Sequence, residues 1–168
     1  MFELILTIDL NNGIAKNGEI PWYIKDVDIF FKEMTLNNII IMGKKTYFSL
    51  HKKNRPYKDR LNIVLTRNPQ EYNDLSLLHN NLYFAKNLGM ALRIVTLNKS
   101  KKIFFIGGLS VFNNYHNLCN ILWIIRLKKK YNCDLKIDFN NLIKNFIKSC
   151  IIKETDEYII EKYIFKIE

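Results

Sequence analysis

Apolar runs of strand length alternate along this chain with stretches of helical periodicity. The runs at 2–8 ("FELILTI"), 39–43 ("IIIMG"), 62–66 ("NIVLT"), 82–85 ("LYFA"), 102–108 ("KIFFIGG") and 121–127 ("ILWIIRL") read as strands. Helical patterns occupy 25–34, 46–51, 87–98 and 110–117. The middle runs are apolar almost without interruption, as expected of parallel strands buried on both faces. The tail differs. From Tyr158 it alternates, with Tyr158, Ile160, Lys162, Ile164 and Lys166 on one face and Ile159, Glu161, Tyr163, Phe165 and Ile167 on the other. Residues 151–168 therefore read as two edge strands that close the sheet antiparallel. The expected fold is α/β, one domain over 1–168, with a mixed, mostly parallel central sheet, an antiparallel C-terminal strand pair and helices on both faces.

Composition changes this picture little. At 168 residues, 48% hydrophobic and 25% charged, the chain has the make-up of a globular domain. No apolar run approaches the roughly 20 residues of a membrane span. The opening "MFELILTIDL" carries Glu3 and Asp9 and reads as a first strand rather than a signal peptide. The three cysteines have no metal-type spacing and read as free thiols in a reducing, cytoplasmic setting. A net charge of +10 suits a phosphate-bearing ligand or nucleic acid. Heavy use of Ile, Lys and Asn also supplies such a charge by compositional drift. The run "LKKKYNCDLK" at 127–136 has no interleaved aromatic beyond Tyr131, so nucleic acid is the less favoured partner.

Three strand ends carry candidate chemistry. In "IIIMGKKTYFSL" a buried strand ends at Gly43 and a helix is expected near Thr46; Lys44, Lys45 and the Thr46 hydroxyl suit an anion. In "LNIVLTRN" a strand delivers Thr66 and Arg67, and Arg67 suits a phosphate. In "KIFFIGGLSVF" a strand leads through Gly107-Gly108 to the helix expected at 110–117, and paired glycines admit a ligand to the backbone. Each signal is weak, but together they favour a dinucleotide with several phosphates.

The segments "GIAKNGEIPW", "FFKEMT", "IIIMGKKTYFSL", "RPYKDRLNIVLTR" and "IFFIGGLSVF", in this order and spacing, resemble dihydrofolate reductase over nearly the whole chain. The resemblance implies NADPH as hydride donor, a folate substrate, a monomer and no membrane. It implies that Lys44, Lys45, Thr46 and Thr66 lie against the cofactor, with Arg67 on the 2′-phosphate. Gly107, Gly108, Leu109 and Ser110 would approach the pyrophosphate and nicotinamide, with a cis peptide between the glycines. Ile14 and Ala15 would cover the nicotinamide from a lid hinged at Ile20 and Trp22. Arg60 would hold the folate α-carboxylate, and Ile5, Thr7, Phe31, Leu50 and Ile106 would line the ring pocket.

Two positions depart from that pattern. The family places an acid four residues before the Phe and eight before the Thr of this helix; Phe31 and Thr35 put Val27 there. The family acid binds the pterin 2-amino and N3 groups and promotes protonation of N5. Its supporting threonine on a later strand is here Ile125. Removing one partner of a buried hydrogen bond strands the other, whereas replacing both with apolar groups is nearly neutral. The pair therefore reads as a coherent repacking. A smaller change is Phe112, where the family usually has Tyr. Asp28 is the candidate substitute acid, one residue late and about 100° round the helix, and Asp26 suits the helix dipole. Three readings follow: a weak or altered dihydrofolate reductase, a reductase of another pteridine or pyrimidine, and a non-catalytic binding or structural protein.

Overall fold

Most strands form where the apolar runs lie. In a computed structural model that describes residues 1–96 and 101–167, β1 is Phe2–Ile8, β2 Gly13–Ala15, α1 Lys25–Thr35, β3 Ile39–Gly43 and α2 Lys44–Ser49. β4 is Leu61–Leu65, α3 Asn73–Leu77, β5 Leu82–Ala85, α4 Leu88–Val95, β6 Ile103–Gly107 and α5 Leu109–Tyr115. β7 is Ile121–Leu127, β8 Leu135–Lys136, α6 Phe139–Ile143, β9 Phe146–Glu154 and β10 Tyr158–Phe165. The expected helix at 87–98 starts behind Asn87, whose side chain accepts the Met90 N–H at 2.9 Å, and positions 97–98 fall outside the described residues.

Eight strands make one sheet in the order β5-β4-β3-β6-β1-β7-β10-β9. The pairs from β5 to β7 are parallel, so their carboxyl ends share one edge. β10 runs antiparallel to both β7 and β9. The first tail strand starts at Phe146, earlier than the hydropathy of the tail suggested, because "FIKSC" is exposed and only its first residue is buried.

Helices cover both faces. On one face Ala91 and Val95 of α4, Val111 and Phe112 of α5, and Phe139 and Leu142 of α6 pack with Leu4, Leu6, Ile8, Ile124 and Tyr163. On the other face Val27 of α1 and Tyr47 of α2 pack with Ile5, Ile40, Val64, Ile125 and Ile160. The alternation of β1 thus divides Leu4, Leu6 and Ile8 from Ile5, and Thr7 shares the face of Ile5. No helix among the described residues is long and apolar enough to cross a membrane.

Candidate active site

The carboxyl edge of the sheet brings two glycine signals into contact. Strand β3 passes straight into α2 through an extended Gly43, so the helix begins at Lys44 and not near Thr46. Lys44, Lys45 and Thr46 fill its first turn, where backbone N–H groups lack intrahelical acceptors. Next door, β6 ends at Gly107, joined to Gly108 by a cis peptide bond. Gly107 has φ +130, which side chains rarely tolerate, and a Cβ there would lie 3.4 Å from Phe112 Cζ. A Cβ on Gly108 would lie 3.1 Å from Thr46 Oγ1. Gly43 faces the same junction, 3.7 Å from Val111 Cγ2 and 3.9 Å from the Gly107 oxygen, measured from its own would-be Cβ. Helix α5 starts at once: Gly108 O accepts the Phe112 N–H at 3.0 Å, leaving the amides of Leu109, Ser110 and Val111 as first-turn donors.

Thr66 follows β4, is buried, and donates its backbone N–H to Ala85 O at 3.0 Å. Arg67 beside it is exposed. An aromatic shelf lies nearby, with Tyr72 stacked on Phe84 at 4.7 Å and Lys44 Nζ 5.9 Å from the Tyr72 ring. Among the described residues, Lys44, Lys45 and Arg67 form no ion pair with a carboxylate. Bare backbone at two strand ends, unsatisfied first-turn amides and unpaired cations fit a ligand carrying several phosphates.

The neighbouring pocket is apolar at its floor. Helix α1 turns Val27, Phe31 and Thr35 toward the sheet, as i, i+4, i+8 spacing requires. Val27 is 7% exposed and Ile125 1%, and both belong to one cluster with Ile5 and Trp123. Trp22, Phe31, Leu50, Tyr57, Ile106 and Tyr131 pack against that cluster. Thr7 lies opposite Ile125 in the parallel register of β1 and β7.

The acids nearby are all committed elsewhere. Asp28 Oδ2 lies 2.8 Å from Lys32 Nζ, one turn along the helix, with its side chain 30% exposed. Its charge still reaches Tyr57, whose pKa is pushed up to about 12 by burial first and by Asp28 second, against Arg60. Asp26 Oδ2 accepts from Lys153 Nζ at 2.8 Å and from the Tyr158 hydroxyl at 3.0 Å, which hold its carboxyl below the usual range. Of the buried acids, Glu3 sits at the far end of β1 and accepts the Trp123 indole N–H at 2.6 Å. Its other oxygen is 2.9 Å from Lys102 Nζ, close enough for a charge pair but not aligned as a hydrogen bond. Glu161 lies on the opposite face of the sheet with Lys148 and Tyr163. Asp9 spends its carboxylate on the amides of Asn11, Gly13 and Tyr131. Burial pushes the Asp9 carboxyl up, but those N–H donors outweigh it and leave it lowered.

Arg60 is buried at the end of the pocket. Its Nε donates to Thr35 Oγ1 at 2.8 Å, and its terminal nitrogens donate to the carbonyls of Lys58 and Lys32. Five N–H donors meet three acceptors, so two remain for a ligand. In β2, which pairs with β8, Ile14 is buried and Ala15 half-buried. Gly13 has no room for a side chain, since a Cβ there would lie 2.4 Å from Cys133 Cβ. Trp22 meets Tyr131 edge-on at 5.3 Å. Asp9, Tyr57 and Tyr131 were not singled out from the sequence. For Asp9 the signal is readable: an Asp followed by Asn-Asn-Gly at a strand end forms a turn held by its own side chain.

Residues 1–161 match the dihydrofolate reductase family. The chain belongs to the dihydrofolate reductase family. It is 37% identical to a dihydrofolate reductase of Ureaplasma parvum serovar 3, over the whole of this chain and 99% of that protein. It is 34% identical to a Bos taurus dihydrofolate reductase, covering 80% of this chain and 79% of the relative. A viral dihydrofolate reductase of Saimiriine herpesvirus 2 is 32% identical, covering 84% of this chain and 71% of its own. The eight-stranded sheet with its antiparallel C-terminal pair agrees with that family's fold.

Proposed function

We propose that this protein reduces 7,8-dihydrofolate to tetrahydrofolate with NADPH, and that it does so without a carboxylate in the pterin pocket. The observation that supports this reading is a contrast within one site. The strand-end glycines meet one another and Thr46, while the helix position turned to the sheet is Val27, in one cluster with Ile125.

NADPH, when bound, supplies the hydride. Lys44, Lys45, Thr46 and Thr66 hold its phosphate side, and Arg67 selects the 2′-phosphate. The backbone at Gly107 and Gly108, with the amides of Leu109 and Ser110, would hold the pyrophosphate and nicotinamide. Ile14 and Ala15 cover the nicotinamide ring, and Trp22 anchors the lid against Tyr131. Ile5, Phe31, Leu50 and Ile106 hold the folate ring by apolar contact, and Arg60 spends its two free N–H groups on the tail carboxylate. The proton required at N5 comes from solvent. Asp28, paired to Lys32 outside the pocket, takes no part. Removing a positioned acid typically costs about 10²–10⁴-fold, which leaves a slow enzyme and not a dead one. The apolar floor also favours a second reading, in which the pocket holds another pteridine or pyrimidine, or binds without turnover.

Fluorescence titration with NADPH and NADH, followed by turnover of dihydrofolate, tests the proposal. NADPH should bind more tightly, and Arg67→Ala should remove about 10–100-fold of that preference. Equal affinity for the two cofactors in the wild type sinks the cofactor assignment. Tight NADPH binding with no reduction of dihydrofolate under any condition favours the second reading.

A further inference from the structure

Thr7 is a hydroxyl on a floor that is otherwise apolar. It follows Ile5 by two residues on β1 and so shares the pocket face. Its Cα partner across the parallel pair is Ile125, the residue facing Val27 in the same cluster. It is half-buried, while Ile5, Val27 and Ile125 are buried. Its Oγ1 makes no hydrogen bond to any described residue, whereas the Thr66 hydroxyl at the same edge accepts the Asn68 N–H at 3.4 Å. Nor is it a sealed, unsatisfied atom, since among the described residues that condition applies to Glu3 alone. Its hydroxyl is therefore free and accessible at the carboxyl end of β1.

A half-buried β-branched position beside Ile125 would hold Val as readily as Thr on packing grounds. The hydroxyl adds a group that donates or accepts and carries no charge at any working pH. A carboxylate, by contrast, draws cationic rings as well as neutral ones. We infer that Thr7 is the specificity-determining polar contact of the pocket: its hydroxyl accepts a ring-edge N–H of a neutral pterin, in place of a charged partner. The inference rests on the proposed folate reduction and adds which side chain the ring's polar edge meets.

Binding of dihydrofolate to the NADPH complex of wild type, Thr7→Val and Thr7→Ser separates these claims, with steady-state turnover measured alongside. Thr7→Val keeps shape and loses the hydroxyl, so dihydrofolate should bind roughly three- to tenfold more weakly. KM should rise by a similar factor with little change in kcat, because the contact is made equally in ground and transition states. Thr7→Ser should restore most of the loss, and NADPH affinity should be the same in all three. Equal dihydrofolate affinity in wild type and Thr7→Val overturns the inference and leaves the proposed function standing. Failure of Thr7→Ser to rescue overturns it too, since the loss would then follow shape and not the hydroxyl. A wild type that binds NADPH but no dihydrofolate overturns both.

Discussion

At the ends of β3 and β6 the candidate site is made of backbone; on the floor formed by β1, β7 and α1 it is made of side chains. The strand-end junction tolerates almost no change. A methyl group on Gly108 would press on Thr46, and one on Gly107 would strain the backbone as well as meet Phe112. The floor is different. Val27 and Ile125 belong to one cluster of apolar side chains, so a pair of this kind in place of a hydrogen-bonded acid and hydroxyl strands neither partner. A site made of close backbone contacts is tied to the fold, whereas a site made of two facing side chains can be exchanged without disturbing it.

Restoring the acid is the strongest way to sharpen this contrast. If the proposed function holds with Val27 at the acid position, only substrate already protonated at N5 would accept hydride efficiently. The wild-type rate should climb about tenfold per unit as pH falls, with no plateau belonging to an enzyme group. Val27→Asp should raise single-turnover hydride transfer at neutral pH by about 10²-fold, toward the lower end of what a positioned acid supplies. The gain should be partial, because Ile125 offers the new carboxylate no hydroxyl and an under-satisfied buried charge is costly. Adding Ile125→Thr should give more than the sum of the single effects, as expected of neighbours. The pH profile of the four proteins from 5 to 9 decides the matter. A wild-type profile that levels off in acid, and loses its plateau in Asp28→Asn, would show that Asp28 leaves Lys32 and enters the pocket.

Inhibitor binding gives a smaller effect in the same direction. A diaminopyrimidine ring binds best as a cation, and the wild-type floor gives that charge nothing to pair with. Its affinity should be weak in wild type and rise roughly 10–100-fold in Val27→Asp, the range of a charge-assisted hydrogen bond. Nanomolar binding to the wild type would mean that a carboxylate reaches the ring after all. The aromatic and aliphatic walls, Phe31, Leu50 and Ile106, are common to both proteins and do not enter the difference.

The two regions also differ in how far the sequence revealed them. Uninterrupted apolar runs placed β1, β3, β5 and β7 to the residue. For β1, β3 and β7, inside the sheet, burial on both faces leaves no competing pattern, whereas β5 is an edge strand whose short run is bounded by Asn81 and Lys86. The α2 start was missed by two residues. An extended glycine cap supplies no side-chain signal, and the apparent boundary fell on the first residue with a hydroxyl, Thr46. The short β2–β8 pair, the α3 and α6 turns of helix and the exposed start of β9 were illegible. Their periodicity is too brief, or their side chains face water. Helical spacing from Phe31 and Thr35 was enough to turn Val27 inward, and the structure buries it with Ile125. What spacing does not tell is where a neighbouring acid goes. Asp26 is drawn off by Lys153 and Tyr158, and these are more than a hundred residues away along the chain.

That displaced acid yields the smallest expected effect. Asp26 ties the start of α1 to β9 and β10 at the outer side of the pocket, accepting from Lys153 and from the Tyr158 hydroxyl. Those hydrogen bonds hold its folded pKa below the ordinary value and raise that of Lys153. A lowered carboxyl pKa means that the unfolded chain binds the proton more readily. The contribution of Asp26 is therefore complete above its unfolded pKa of about 4 and fades as pH falls through the folded value. The lysine side has the opposite sign: its contribution is complete at neutral pH and fades only as pH rises beyond the ordinary lysine range. Asp26 is an exposed partner screened by water, so Asp26→Asn should lower Tm at pH 7 by only about 1–2 °C. The difference from wild type should begin to shrink at pH 3, below the unfolded pKa, where the unfolded chain already takes up the proton. Hydride transfer should be the same in both proteins at every pH, since Asp26 faces the sheet's outer strands and not the ring. Thermal unfolding at pH 3, 5 and 7, paired with single-turnover rates, tests both halves. A rate that drops in Asp26→Asn while Tm holds would move this acid from the latch to the pocket, and with it the distinction between a committed surface carboxylate and an uncharged floor would fail.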